Sequence, residues 1–160
     1  MSVDNKIFDA ARTGDTALLK QLIAEGAEVN CTDARGFTPL ILATYNNQPE
    51  AARVLFEAGA DLDAGDAGGN TALMGVSFKG YTAIARWLLE NGADINLKHG
   101  NGGTALMFAT MFGRNEVVRL LLEHGADVTL TENRGLTAYD LAVQQGNVEA
   151  IEIMDELARS

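Results

Sequence analysis

The residues that could carry out chemistry are few and lie far apart in the sequence. His99 and His124 are the two histidines, 25 positions apart, and the single cysteine, Cys31, falls in a predicted loop with neither of them near. A nucleophilic cysteine needs a base within hydrogen-bond reach, and a metal site needs several closely spaced ligands. We therefore predict no catalytic residue and no metal site, and we expect both histidines on the surface.

Two short segments resemble ligand-binding loops only superficially. The segment 61–66 begins like a calcium loop, but such a loop needs Gly at its sixth position and Glu at its twelfth, where this chain has Asp66 and Ala72. The segment 100–103 is rich in glycine like a phosphate cradle, but the Lys and Ser or Thr that should follow are missing. Both segments are predicted to be turns, and no cofactor is expected.

Composition narrows the range of partners. The 160 residues include 22 acidic and 12 basic side chains, giving a formal charge of −10, whereas nucleic-acid binding needs clustered Lys or Arg. The longest apolar runs span a few residues, too short for a membrane helix. The start Met-Ser-Val-Asp-Asn-Lys has no signal-peptide pattern. We expect a cytoplasmic monomer, or a periplasmic one if a leader was removed, that binds neither nucleic acid nor membrane.

A spacing of 33 residues organises nearly the whole chain. It separates the threonines Thr38, Thr71, Thr104 and Thr137, and also the Gly-Ala pairs that begin at Gly26, Gly59, Gly92 and Gly125. A fixed period of this length indicates a small structural unit that is copied and stacked.

Each period reads as a turn, a short first helix, a second turn, a longer second helix and a loop. The threonine is a candidate N-cap, and Pro39 is tolerated at the first helical position. Small residues form a column in the first helices: Ala10, Ala43, Val76, Ala109 and Ala142. The break between the helices falls at residues that tolerate a left-handed backbone: Gly14, Asn47, Gly80, Gly113 and Gly146.

The second helices carry the predicted core. One column contains Leu22, Leu55, Leu88, Leu121 and Met154, and a second contains Val54, Trp87, Leu120 and Ile153. On the opposite face, Arg53, Arg86 and Arg119 each precede a glutamate by four positions, which predicts exposed ion pairs with Glu57, Glu90 and Glu123.

This pattern resembles the ankyrin repeat over about residues 3–158. The resemblance implies an all-α solenoid of about five helix-turn-helix repeats with short hairpin loops. We expect a single domain, 1–160, divided into an N-terminal cap (1–32), three internal repeats (33–65, 66–98 and 99–131) and a C-terminal cap (132–160). No copy has the histidine of the family's Thr-Pro-Leu-His box, and Asp140 and Asp155 replace apolar residues where the last repeat should form polar outer surface.

The family resemblance implies that a partner is bound by the hairpin tips and the concave face of the first helices. At these positions the chain has apolar or basic residues that the repeat itself does not demand: Arg35, Phe37, Tyr45, Phe78, Lys79, Met111, Phe112 and Arg134. Aromatic and Met side chains are enriched at the centres of protein interfaces. The leading prediction is therefore a non-enzymatic scaffold that binds a protein, with Trp87 assigned to the core.

Two other functions stay open at this point. The segment 69–80 is similar to a repeat of small bacterial ankyrin proteins that accompany catalase, which implies an accessory factor in peroxide defence. An acidic concave scaffold is also compatible with a bacterial immunity protein or antitoxin that caps a toxin.

Overall fold

The computed structural model describes residues 3–158, which form ten helices. In chain order they are α1 (Val3–Thr13), α2 (Thr16–Ala24), α3 (Pro39–Tyr45), α4 (Pro49–Glu57), α5 (Ala72–Lys79), α6 (Thr82–Glu90), α7 (Ala105–Met111), α8 (Asn115–Glu123), α9 (Ala138–Gln145) and α10 (Val148–Leu157). The chain divides into two compact units, Met1–Ala72 and Leu73–Ser160. The all-α prediction is confirmed for the described residues.

Helices pack with their sequence neighbours and with the equivalent helix of the next repeat. In the first unit, α1 packs on α2 and α3, and α4 packs on α2 and α3. In the second unit, α7 packs on α8 and α9, and α8 also packs on α6 and α10. First helices thus pair with first helices and second helices with second helices, as stacked repeats require.

The predicted core columns are buried. The column Leu22, Leu55, Leu88, Leu121 and Met154 is at most 2% exposed throughout, and the small-residue column Ala10, Ala43, Val76, Ala109 and Ala142 is at most 1% exposed. Small side chains let first helices of neighbouring repeats approach closely, and the leucines supply most of the apolar burial between second helices. In the second predicted column, Val54 and Trp87 are only half-buried.

Helix ends follow the predicted caps. Thr38, Thr104 and Thr137 each accept a hydrogen bond at the hydroxyl from the backbone N–H three residues later. The break between helices is left-handed at every predicted position, including Asn47 with φ 58°. These local signals could be identified from the sequence because each one reflects a backbone requirement that few residue types satisfy.

Four turns of the same construction precede α3, α5, α7 and α9, and we name them turn 1 (33–37), turn 2 (66–70), turn 3 (99–103) and turn 4 (132–136). In each, the first and last residues are joined by a backbone hydrogen bond of 2.9–3.0 Å, and the fourth residue is a glycine with φ between +81° and +86°. The first side chain then accepts a hydrogen bond from the N–H of the last residue. This acceptor is Asp33, Asp66, His99 or Glu132.

Side chains also tie neighbouring repeats together within each unit. Asn30 accepts from the N–H of Asp61, and Asn96 accepts in the same way from Asp127. Asn147 exchanges two amide hydrogen bonds with Asn115 and donates a third to the carbonyl of Thr110. Since Asn147 also caps α10, one amide side chain joins three helices.

Three predictions about polar residues are wrong. Arg53 pairs with Glu50 rather than Glu57, and Arg119 pairs with Glu156 of α10 rather than Glu123. The exposed guanidinium can reach several carboxylates, so spacing alone does not select one. Asp140 is half-buried and completes a capping box with Thr137, accepting from its N–H at 3.0 Å, so it serves the start of α9 and not the outer surface.

Substituting Gly36 tests the turn construction. At φ +81°, an added Cβ would lie 2.6 Å from the backbone nitrogen of Ala67, while at Gly59 (φ +101°) it would meet nothing within 4 Å. Gly59→Ala should lower the free energy of unfolding by about 1–2 kcal/mol from the left-handed backbone alone. Gly36→Ala should lower it by roughly 1–3 kcal/mol more, because of the overlap. Urea unfolding measures both, and equal losses would show that turns 1 and 2 are not in contact.

Acid should selectively remove the contribution of Glu132. The guanidinium of Arg134 donates to this carboxylate, and with the N–H groups of Arg134 and Leu136 it holds the pKa below the ordinary value of 4.5 against partial desolvation. A carboxyl group whose pKa is lower in the folded state stabilises the folded protein at pH values above its pKa in the unfolded chain. This contribution is lost as the pH falls through the pKa of the folded state. Glu132→Gln should lower Tm at pH 7, and its difference from wild type should shrink below about pH 4.5.

The exposed Glu90 in α6 provides the control, because the ion pair predicted between Arg86 and Glu90 is not formed within residues 3–158. Glu90→Gln should change Tm little at any pH, because surface substitutions away from specific contacts have small effects. A Glu132→Gln difference that stays constant from pH 7 to pH 3 would contradict the assigned ion pair.

Candidate partner-binding surface

In the first unit, three predicted binding residues lie on turn 1 and at the end of α3. Arg35 is exposed at the tip of turn 1, and Phe37, the last residue of that turn, is half-buried. The Arg35 carbonyl accepts from the N–H of Ala67 at 3.4 Å, which places the tips of turns 1 and 2 side by side. Tyr45 is the last residue of α3 and is 39% exposed.

In the second unit, the structure brings Phe78 and Phe112 together. Their rings, which we call the aromatic pair, meet edge to face with centroids 4.6 Å apart and an interplanar angle of 75°. Phe78 is half-buried, whereas Phe112 remains 46% exposed. One ring therefore holds the other in a fixed orientation while leaving much of its surface to solvent.

Beside the aromatic pair, Arg114 is a residue that the sequence analysis missed. Its Nε donates to the carbonyl of Phe78 at 2.9 Å, near the C-terminus of α5, where a positive charge is favoured. Arg114, Lys79 and Glu116 line a shallow cleft of about 210 Å³. Gly80 is the residue that could have indicated this position of Arg114. An added Cβ at Gly80 would lie 2.9 Å from Arg114 Cδ, so the glycine leaves room for the arginine.

A larger cleft, which we call the turn cleft, lies between turns 3 and 4 and has a volume of about 380 Å³. Its walls come from both turns, from α7 and from α9: His99, Asn101, Gly103, Met107, Phe108, Met111, Glu132, Asn133, Arg134 and Leu141. A backbone hydrogen bond of 2.9 Å from Asn133 to the carbonyl of Asn101 holds the two tips together. The cleft thus unites two of the predicted binding residues, Met111 and Arg134.

His99 lies partly at the surface, but it also has a role in turn 3 that the sequence analysis did not predict. Its side chain is half-buried, Nδ1 accepts from the N–H of Gly103 at 2.9 Å, and its ring meets Phe108 edge to face at 5.0 Å. His99 therefore takes the place that an Asp or Glu has in the other turns. The 33-residue register aligned it with Asp33, Asp66 and Glu132, and that alignment was the available signal.

The charge of Arg134 at the rim of the turn cleft is balanced. Its Nε donates to Glu132 at 2.7 Å, while the other carboxylate oxygen of Glu132 accepts from two backbone N–H groups of turn 4. The expected basic rim is therefore a neutral ion pair at this position. The cleft offers apolar walls with a rim that carries no net charge from this pair.

Residues 3–158 also bear on metal sites and membrane spans. In this part of the chain, no three His, Cys, Asp or Glu side chains are grouped so that they could hold a metal ion. Of the helices described, none has the length and apolar character needed to cross a membrane.

Comparison with known proteins identifies the repeat. A family model described as ankyrin repeats (3 copies) matches residues 7–99, more than half of the chain, and a second, ankyrin repeats (many copies), matches 88–142. The chain is also similar to ankyrin repeat domain-containing protein 29 of Danio rerio, with 44% identity over 52 residues, which are 32% of this chain and 17% of that protein. Ankyrin repeats are generally protein–protein interaction modules and are typically non-enzymatic. The chain belongs to the ankyrin-repeat family.

Proposed function

We propose that this chain is a non-enzymatic module that binds a protein partner through its turns and the ends of its first helices. The contact residues would be Arg35, Phe37, Tyr45, Phe78, Lys79, Met111, Phe112 and Arg134. The division into five repeats, the monomeric state and the cytoplasmic location stay predictions from the sequence.

The observation that carries this proposal is the exposure of Phe112. A phenyl ring that is 46% exposed and held edge-on by a second ring loses little conformational freedom when a partner covers it. Interface centres are rich in such aromatic anchors. Tyr45, 39% exposed, ends α3 at the same register position as Phe78 and Met111, so an aromatic or Met side chain recurs there.

The charges beside the aromatic pair support a mixed interface. Arg114 donates to the carbonyl of Phe78, and it lines the small cleft together with Lys79 and Glu116, so two basic residues and one acidic residue meet there in a chain whose formal charge is −10. The partner would contact an apolar centre that has basic residues at its edge and acidic residues farther away. Charges arranged in this way determine which partner binds and in which orientation, more than they raise the affinity. A typical specific interface buries about 800 Å² on each partner, which several repeats together can supply.

The two bacterial alternatives are not proposed. Neither the family models nor the zebrafish relative has a description that mentions catalase, peroxide or a toxin. No feature of the described structure favours either function over general protein binding.

Removing the ring of Phe112 should weaken partner binding with little loss of fold. Wild type, Phe112→Ala and Val148→Ala would be immobilised, and proteins retained from the native host would be compared by quantitative mass spectrometry. Val148 starts α10 and is 61% exposed, so it controls for the loss of an exposed apolar side chain. We expect a partner retained by wild type and Val148→Ala and depleted with Phe112→Ala, with an affinity loss above about 1 kcal/mol in later calorimetry.

Thermal unfolding separates this outcome from simple destabilisation. The edge-to-face contact contributes about 0.5–1.5 kcal/mol, so Phe112→Ala should lower Tm by only a few degrees. A large fall in Tm with unchanged retention would assign the aromatic pair to the core and overturn the proposal.

A further inference from the structure

Turn 3, which lines the turn cleft, differs from the other three turns because its last residue is a glycine. The last residue is Phe37 in turn 1, Asn70 in turn 2 and Leu136 in turn 4, but Gly103 in turn 3. Gly103 has no left-handed backbone that would require a glycine. A Cβ at this position would instead lie 2.7 Å from Cε1 of His99. The imidazole of His99 occupies the space that a Cβ at position 103 would need, and this explains the glycine there.

The hydrogen bond at Nδ1 fixes the chemistry of the His99 ring. Because Nδ1 accepts from the N–H of Gly103, the neutral ring carries its proton on Nε2. Among the described residues, no histidine nitrogen is both fully buried and without a partner. Nε2–H is therefore a donor that solvent or a ligand can reach. In the other turns the equivalent side chain is a carboxylate, which has no donor.

The remaining walls favour a neutral aromatic occupant. Met111 and Phe108 are half-buried and offer a polarizable thioether and a ring, both of which make favourable contacts with aromatic rings, while Met107 also lines the cleft but is only 2% exposed. Glu132 and Arg134 neutralise each other at the rim, so neither an anion nor a cation gains a free counter-charge from this pair. The cleft, at about 380 Å³, is more than twice the roughly 150 Å³ that accommodates benzene.

We propose that the turn cleft binds a tyrosine side chain of the protein partner, with its ring between Phe108 and Met111 and its phenolic oxygen accepting from Nε2 of His99. A phenol supplies both the neutral aromatic ring and the hydrogen-bond acceptor that these walls complement. This inference rests on the proposed function, because it takes the occupant to be part of a protein partner.

The test uses tyrosine and phenylalanine analogues on the intact chain. N-acetyl-tyrosinamide, N-acetyl-phenylalaninamide and p-cresol would be titrated while NMR records the amide of Gly103 and the methyl groups of Met107 and Met111. We expect saturable shifts at these groups with a Kd on the order of millimolar for the tyrosine analogue. The phenylalanine analogue should bind about two- to tenfold more weakly, because it lacks the acceptor for His99.

Two variants isolate the cleft. The double substitution His99→Asp with Gly103→Asn copies turn 2, where Asp66 locks the turn and Asn70 ends it, so it should fold while losing the room and the donor. It should abolish the shifts at the two methionines. His99→Asp alone keeps Gly103 and should remove the preference for tyrosine over phenylalanine. Val148→Ala, a change at an exposed residue that does not line the cleft, serves as the control and should bind the tyrosine analogue as wild type does.

The outcomes separate this inference from the proposed function. Absence of saturable shifts, or equal affinity for the two amino-acid analogues, would overturn the inference, while retention of a partner that depends on Phe112 would leave the proposed function standing. Binding of p-cresol without binding of N-acetyl-tyrosinamide would also overturn it, since the cleft would then admit a free phenol but not a side chain attached to a main chain.

Discussion

One hydrogen-bond acceptor at the start of each turn holds the candidate surface in place. The turn must expose its tip to solvent, so the N–H groups of the tip cannot be satisfied by a helix or a sheet. The side chain of Asp33, Asp66, His99 or Glu132 accepts from the N–H of the last residue of its turn, and in turns 1, 2 and 4 it also accepts from a tip N–H. The position demands an acceptor but not a carboxylate, and for this reason an imidazole can take it without changing the backbone.

Most of the fold could be predicted because its requirements limit residue types. Burial between second helices demands large apolar side chains, and four leucines and Met154 satisfy this demand at five equivalent positions. A left-handed backbone demands Gly or Asn, and the breaks at Gly14 and Asn47 satisfy it. When few residue types satisfy a physical requirement such as burial or a left-handed backbone, their recurrence at the same position of each repeat shows where that requirement applies.

The candidate site was less predictable because its geometry depends on which of several possible side-chain contacts is formed. Arg134 could have formed a free basic rim, but Glu132 lies two positions earlier and binds it. Phe78 and Phe112 were each identified as surface residues, yet no rule of spacing showed that their rings meet. The role of His99 in turn 3 was not predicted, because histidine has no single preferred environment and because this role requires a residue without a side chain at position 103.

The side-chain ties between repeats also bear on how the chain reaches this structure. Asn30 reaches Asp61, Asn96 reaches Asp127, and Asn147 reaches Thr110, over 31, 31 and 37 positions. Each tie closes a loop of nearly the same length, so the entropy lost on closing the loop is similar for each added repeat. Each added repeat also forms a similar set of contacts. These ties join neighbouring repeats, so none of the three spans more than 37 positions. Folding can then begin at any well-packed pair of neighbours and propagate along the chain in both directions.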